Sequence, residues 1–434
     1  MLDIQFIRDN AELVAEKSKD KGYDVDIQKL LTLDGERRSK LTQIEELRRR
    51  RNEQADVLKQ GKPSEEQIAA GKQLKEEISA RETELTAIEA DYQALLKRVP
   101  NMPTDDVPVG ASEQDNAVVK TVGEPTTFDF EPQTHWQIGE QRGWIDKERA
   151  AKVTGARFAY LQGDLVQLQF ALIQFVLATL TDQTIIQQLI DDNGLNLTAK
   201  AFIPILPPVM IREDIYDQMD RLEPREDRYH LEGQDDNLWL IGSAEHTLGS
   251  MYADEILEAD QLPLRYVGYS TSFRQEAGTY GKDNEGILRM HQFDKLEMEV
   301  FSTAETGLDE HKLLIAVQEY LMQQLGIPYH VLMKCTADIG KPNARGVDIE
   351  AWLPGQDKYR ETHTADYMTD YQARRLKTRV RQGDGQITLV HTNDATAFAM
   401  GRTMIAIIEN NQTADGHVRV PEVLRPYLQG KIEL

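Results

Sequence analysis

The stretch Ser272-Phe273-Arg274-Gln275-Glu276-Ala277-Gly278, a glycine-rich loop, and then Leu288-Arg289-Met290-His291-Gln292-Phe293-Asp294-Lys295-Leu296-Glu297 decides how the rest of the chain is read. A strand, a long polar loop and a returning strand place Arg274, Glu276, Arg289 and Glu297 near one another. Arginine forks match phosphate oxygens and an acid takes an ammonium, so the cluster suits a zwitterionic, phosphorylated ligand. A structural salt-bridge network is the other reading of the same residues, and the stretch alone leaves both open.

On either side of it, apolar runs at Leu262 to Val267, Leu296 to Phe301, Tyr329 to Met333, Val347 to Trp352 and Gln386 to Thr392 read as strands. Helical periodicity runs over Leu165 to Ile190, Glu310 to Leu325 and Gly401 to Asn411. Strands without a regular βαβ rhythm imply an antiparallel sheet flanked by helices, an α+β fold. This domain is expected over 128–434. Pro100, Pro103, Pro108, Gly110, Gly123 and Pro125 punctuate the stretch before it, and 101–127 reads as a linker.

The N-terminal domain, 1–100, is of another kind. From Asp26 to Lys97 there is no Trp or Phe, with three Gly and one Pro. Gly71, Leu74, Ile78, Arg81, Leu85, Ile88, Tyr92, Leu95 and Val99 follow a 3-4 spacing, the seam of a coiled coil. Leu30, Leu33, Leu41, Ile44, Leu47, Ala55 and Leu58 give a looser seam before it. Gly61-Lys62-Pro63-Ser64 breaks the pattern, and Ser64 with Gln67 is a capping-box signature. The expectation is an antiparallel coiled-coil hairpin over about residues 26–98, roughly 50 Å long.

The chain has 434 residues, with 50 Lys+Arg against 73 Asp+Glu, a formal charge of −23. So large an excess of acid excludes a protein that coats nucleic acid nonspecifically. The excess is not evenly spread: residues 36–98 hold fourteen bases and thirteen acids, so the remainder carries −24. Arg48-Arg49-Arg50-Arg51 clusters base on the arm. Such a run is either a solvated helix face or a contact that tracks an RNA backbone. The single Cys335 excludes an internal disulfide and a multi-cysteine zinc cage. No run of eighteen apolar residues would span a membrane, and Met1 to Asn10 has no apolar signal core. A reduced, cytoplasmic, multidomain protein is expected.

The arginine-bearing stretch resembles motif 2 of the class II aminoacyl-tRNA synthetases, and its His-Gln-Phe-Asp-Lys-x-Glu run is similar to the seryl-tRNA synthetases of bacterial type. Gly401-Arg402-Thr403, opening an apolar helix that ends Ile408-Glu409-Asn410-Asn411-Gln412, looks like motif 3. Phe202-Ile203-Pro204-Ile205-Leu206-Pro207-Pro208-Val209 looks like motif 1, a dimer-interface element. With the coiled-coil arm, the resemblance covers essentially the whole chain.

The resemblance implies ATP-dependent attachment of L-serine to tRNA(Ser) through a seryl-adenylate, with selenocysteine tRNA left open as a further acceptor. It implies ATP and Mg²⁺ but no zinc, a homodimer, and no membrane partner. Arg274 and Arg402 carry catalysis. The implied ATP set is Arg274, Gln275, Glu276, Arg289, Phe293, Glu361, Thr362, His363, Thr364 and Arg402, with Glu361 and Thr364 holding magnesium. The implied serine set is Ser243, Ala244, Glu245, Arg274, Glu297 and Thr396. Arg48, Arg49, Arg50 and Arg51 are the implied tRNA contacts.

Two stretches depart from the family pattern. Glu-x-Ser-Ser-x-Ser-Asn is here Glu361-Thr362-His363-Thr364-Ala365-Asp366-Tyr367, and Asn-Gly-Ser-Gly is Asp394-Ala395-Thr396-Ala397. The hydroxyls of Thr364 and Thr396 keep ligation and hydrogen bonding available, and their methyls narrow the pocket. Two alternatives stand beside this reading: a seryl-adenylating paralogue with a non-tRNA acceptor, and an inactive tRNA-binding scaffold. If the arm contacts RNA, changing Arg48, Arg49 and Arg51 together to Glu weakens tRNA charging and flattens its salt dependence. Serine-dependent pyrophosphate exchange persists in that variant; equal loss of both activities refutes the separation of roles.

Overall fold

The structure is a computed structural model that describes residues 1–58, 64–233, 237–277 and 285–434. It divides into two compact units, Met1–Met102 and Pro103–Leu434.

In the first unit, short helices Ile4–Asp9 and Ala11–Asp20 precede two long ones, Ile27–Leu58 and Glu65–Leu96. Ser64 caps the second: its Oγ accepts from Gln67 N at 3.2 Å while its own N–H donates to Gln67 Oε1 at 2.9 Å. The break expected at Gly61-Lys62-Pro63, and the side chain of Leu58, lie outside the described residues. Ile78, Tyr92 and Val99 are buried along the seam, as are Leu30, Ile44 and Leu47, whereas Ala55 is exposed. The seam also holds a charge that apolar spacing does not show. Asp34 is buried, with Arg8 at 2.6 Å and Arg37 at 3.9 Å. Arg37 in turn reaches Glu89 at 2.6 Å and lies 5.0 Å over the Tyr92 ring. Partner numbers fall along the second helix as they rise along the first, through Arg37–Glu89, Lys40–Glu84 and Arg48–Glu82, so the helices are antiparallel.

In the second unit the described residues form an eight-stranded sheet. Its strands are β1 Ala117–Val122, β2 Ile203–Ile205, β3 Leu264–Phe273, β4 Gln292–Ser302, β5 Tyr329–Met333, β6 Arg345–Leu353, β7 Lys358–Thr369 and β8 His391–Ala399. Their order across the sheet is β1-β5-β6-β7-β8-β4-β3-β2. Every neighbouring pair is antiparallel except β2 with β3.

Three stretches differ from expectation. The segment read as a linker contains β1, because Ala117-Val118-Val119 supplies β-branched residues that pair the open edge of β5. The helix expected over Leu165 to Ile190 is two, Asp164–Leu180 and Gln183–Asp192, bent by 70°. The first ends at Leu180 with Thr181 as its cap, and Asp182 caps the second, its carboxylate accepting from Thr184 N at 2.8 Å. The run Gln386 to Thr392 is likewise divided: Ile387–Leu389 joins a separate three-stranded sheet, and His391 begins β8.

The sheet has two unlike faces. Leu296, Met298 and Val300 of β4, Val347 and Ile349 of β6, Ala365 of β7 and Ala395 of β8 belong to the main apolar core. Helices Gly307–Leu325 and Met400–Asn410 supply Leu313, Val317, Leu321, Met404 and Ile408 to the same core. The alternate residues face the other way. Glu297, Glu299, Asp348, Asp366, Asp394 and Thr396 are also buried, so the second face is polar yet largely removed from water. The turn and short helix Glu245–Leu248 cover part of it. Gly268 permits that approach, since a Cβ there would lie 2.7 Å from Leu248 Cδ1. No single described helix is long and apolar enough to cross a membrane.

His311 ties the helical layer to the sheet. Arg345 Nη1 donates to its Nδ1 at 2.9 Å, and its Nε2–H donates to Ala365 O at 2.9 Å. Burial and then the Arg345 charge push its pKa down to about 3. The unfolded chain takes up this proton below about pH 6.5 and the folded one does not, so stability is lost as pH falls from there. From pH 7 to 4.5 this residue costs the fold about 2–3 kcal/mol, and His311→Gln shows a correspondingly smaller acid shift in its urea midpoint.

Candidate active site

Ten of the residues singled out from sequence line one cleft of about 260 Å³: Arg274, Glu276, Arg289, Phe293, Glu361, Thr362, Thr364, Arg402, Glu245 and Thr396. The end of β3 delivers Arg274, whose Nε donates to Gly242 O at 3.1 Å and whose guanidinium lies 5.3 Å from the Phe293 ring centre. Glu276 pairs with Arg289. Arg402 Nη1 lies 2.7 Å from Glu361 Oε1 and donates to Glu361 O at 3.1 Å. Desolvation pushes the Glu361 carboxyl up, but the Arg402 and Lys334 charges outweigh it and hold it at about 2.

A buried pair fixes the frame of this half. His135 Nδ1 lies 2.9 Å from Glu409 Oε1, and its Nε2 accepts from Ile287 N at 3.2 Å. It thereby ties the helix that carries Arg402 to the limb that carries Arg289. A bulge in β7 sets the other wall: Glu361 pairs with Glu350 and His363 with Ile349, leaving Thr362 as an extra residue. Glu361 therefore shares a side with Thr364 and Asp366, which strict alternation over three residues forbids. The Thr364 hydroxyl donates to Asp348.

The far end of the cleft is acidic. Glu245, Glu297 and Asp394 bring carboxylate oxygens within 4.8 Å of one another. Lys295 pairs with Glu297, lies 3.8 Å from Glu245 and donates to Ser243 Oγ at 3.0 Å. Burial pushes the Glu297 carboxyl up to about 7 even beside Lys295. Glu245 behaves oppositely: burial raises it, but the His246 hydrogen bond, Arg221 and Lys295 together hold it well below the usual range. Gly242 N donates to His246 Nδ1 at 3.2 Å and Tyr216 OH lies 3.0 Å from the same atom, so Nε2–H faces Glu245 Oε1 at 3.4 Å. Burial keeps His246 neutral down to about pH 4.

Five expected site residues do not line this cleft. His363 is buried on the far side of the bulge, 5.7 Å from the Phe398 ring, with its Nδ1 2.8 Å from Thr362 Oγ1. Gln275 points outward and donates to Arg228 O at 2.7 Å. Ser243, Ala244 and Glu297 are fully buried beneath the floor, where Ser243 Oγ donates to Glu297 Oε2 at 3.2 Å. Arg221, Lys295 and Asp366 line the cleft without having been singled out as site residues. Lys295 had a usable signal, a cation two residues before an acid on one strand face; Arg221 follows no motif.

The four arm arginines do not form one stripe, since consecutive helical residues turn by about 100°. Arg48 reaches Glu82 at 2.8 Å, Arg49 and Arg50 reach Glu46 at 3.5 and 3.1 Å, and Arg51 is exposed.

Residues 229–411 match the family described as tRNA synthetase class II core domain (G, H, P, S and T), and residues 1–103 match the seryl-tRNA synthetase N-terminal domain. The serine–tRNA ligase of Exiguobacterium sibiricum is 39% identical over 99% of this chain and 99% of its own length. That of Thermodesulfovibrio yellowstonii is 40% identical, again over 99% of each. The structure is similar to that of seryl-tRNA synthetase from Pyrococcus horikoshii complexed with ATP. The two superpose with a TM-score of 0.87 at 37% identity, over 100% of this chain and 99% of that one. The cytoplasmic serine–tRNA ligase of Naegleria fowleri in complex with AMP gives 0.85 at 28% identity, over 100% and 98%. An arginine-lined cleft on an antiparallel sheet, a helical N-terminal unit and full-length likeness to these proteins agree: the chain belongs to the seryl-tRNA synthetase family.

Proposed function

We propose that the protein activates L-serine with ATP and transfers the seryl group to tRNA(Ser). One observation carries this reading: a single cleft has arginines at one end, Arg274, Arg289 and Arg402, and carboxylates around Glu245 at the other. A triphosphate suits the first end and an ammonium the second.

The serine carboxylate is ionised at neutral pH, so its attack on the α-phosphorus needs no enzymatic base. An acyl–phosphate bond forms as the bond between the α- and β-phosphates breaks, and pyrophosphate leaves. Arg274 on the α-phosphate, with Arg289 and Arg402 on the outer phosphates, offsets the charge that builds there. Phe293 stacks on adenine, and Glu276 meets its edge while holding Arg289. In the second step a terminal ribose hydroxyl of the tRNA attacks the acyl carbon, and AMP leaves. The Glu361 carboxylate and Thr364 hydroxyl, with Asp348 behind them, are an all-oxygen donor set that fits Mg²⁺. When bound, that ion neutralises phosphate charge.

Serine is selected by pairing. Glu245 takes the ammonium, and Thr396 lines the side-chain end. A site that buries partners for a hydroxyl disfavours alanine, which leaves them unpaired, and the added methyls crowd out threonine. The Arg48 to Arg51 cluster contacts the tRNA backbone. Recognition of backbone and shape admits any tRNA with the same long arm, a selenocysteine tRNA included. Exposed Ile203, Leu206 and Met210, along the stretch resembling motif 1, fit the interface of a homodimer. The reaction belongs in the cytoplasm, where tRNA and ATP are held.

Aminoacylation of total tRNA with a panel of labelled amino acids tests the reading. Serine alone should be esterified. Adenylation without transfer points to another acceptor, and no activity points to a scaffold. In Arg274→Ala, serine-dependent pyrophosphate exchange falls at least about a thousandfold with an unchanged circular dichroism spectrum; undiminished exchange refutes the role given to Arg274.

A further inference from the structure

Arg221 enters the cleft from the segment that follows the short helix Glu213–Gln218. Its guanidinium gathers acids from three elements: Asp394 of β8 at 3.1 Å, Glu245 at 3.8 Å and Asp366 of β7 at 3.9 Å. The residues on the covered face explain the need. Asp366 pairs with Asp394 across β7 and β8, and Asp394 pairs with Glu299 across β8 and β4. Three carboxylates thus stand abreast, and like charges directly opposite one another on a sheet are unfavourable. Neither oxygen of Glu299 and not Oδ1 of Asp366 has a hydrogen-bond partner among the described residues. Burial pushes both Glu299 and Asp394 well above the usual carboxylate range. Burial also works against the Arg221 charge, but Asp394, Glu245 and Asp366 outweigh it and hold the arginine protonated.

Asp366 and Asp394 stand where the family pattern has a serine and an asparagine. Both additions are acids, and Arg221 is the cation near both. Its segment is held independently of its side chain. Lys341 donates to Asp220 at 2.8 Å, Tyr371 OH donates to Asp220 at 3.2 Å, and Gln372 Nε2 donates to Met219 O at 3.0 Å. Arg228 Nε donates to Arg221 O at 3.2 Å. The guanidinium is therefore presented by a fixed stretch.

We propose that Arg221 is a specificity-determining positioning residue of the amino-acid pocket, holding Glu245, Asp366 and Asp394 in the array that receives the substrate ammonium and hydroxyl. This rests on the serine reading above. A planar fork spans three acids at once, which a lysine point charge does not. With the fork in place the acids stay apart, and Glu245 keeps an oxygen for the ammonium. Without it Glu245 loses one of its two closest cations, and Asp394 and Asp366 face each other across the strands.

Serine-dependent pyrophosphate exchange on the full-length protein tests this with Arg221→Met and the triple variant Arg221→Met/Asp366→Ser/Asp394→Asn. The single variant should raise the KM for serine about tenfold or more, leave the KM for ATP within about twofold, and lower serine-over-alanine selectivity by a similar factor. The triple variant, which removes the acids along with their cation, should restore most of the serine KM. Arg221→Lys, which keeps the charge and loses the fork, should fall between. Unchanged serine KM in Arg221→Met, an equal rise in the KM for ATP, or a triple variant no better than the single each overturns the proposal. If the single variant does not fold, the triple variant and Arg221→Lys decide by the same criteria. Failure of the unaltered protein to exchange with serine overturns the function itself, so the two failures are distinguishable.

Discussion

Carboxylates buried abreast on one face of a sheet are the constraint to which the rest of the catalytic unit answers. Asp366, Asp394 and Glu299 lie side by side on three strands, with Glu297 one alternation further along β4 and Glu245 above them. Charge taken from water is costly unless it is paired, and breaking a buried pair is costlier than never having made it. Arg221 and Lys295 are placed where they offset that cost. Gly268 leaves the space that lets the covering helix approach, and His246 orients Glu245 through a fixed tautomer. In the proposed function a substrate ammonium adds a further cation to these acids.

The two ends of the cleft differ in their balance of charge: Arg274, Arg289 and Arg402 stand with Glu276 and Glu361 at one, and Glu245, Glu297 and Asp394 with Arg221 and Lys295 at the other. In the proposed function the arginine-rich end takes the phosphates and the acid-rich end the ammonium, so charge helps orient the amino acid and the nucleotide toward one another. The same separation appears along the chain. Residues 36–98 are near neutral with a local arginine cluster, while the remainder carries −24. In the proposed function an acidic remainder repels RNA broadly and the arginine cluster accepts it, which favours one shape of tRNA over many.

Much of the architecture was legible from local pattern. The 3-4 seam and the Ser64–Gln67 cap marked the paired helices, and the motif-2-like and motif-3-like stretches marked the arginines of the cleft. Errors fell where a local signal was weak or was read too broadly. Asp182 caps a new helix where apolar periodicity alone would carry one helix to Ile190. Ala117-Val118-Val119 lay among prolines and glycines that read as linker, although an open sheet edge was waiting for it. His363 was placed with the nucleotide by the resemblance, whereas alternation from Thr364 turns it to the core side opposite Ile349.

The sequence by itself determined the periodicities, the caps, the arginines and the alternation of strands such as Leu296-Glu297-Met298-Glu299-Val300. Those depend on residues a few positions apart and on the fixed geometry of helix and strand. It did not show whether the polar side of that alternation is wet or covered. Only the tertiary structure decided that it is buried, which carboxylates stand opposite one another, and that Arg221, from a segment with no motif, is the cation between them. Desolvation and register are properties of neighbours distant in the chain, so no local pattern carries them.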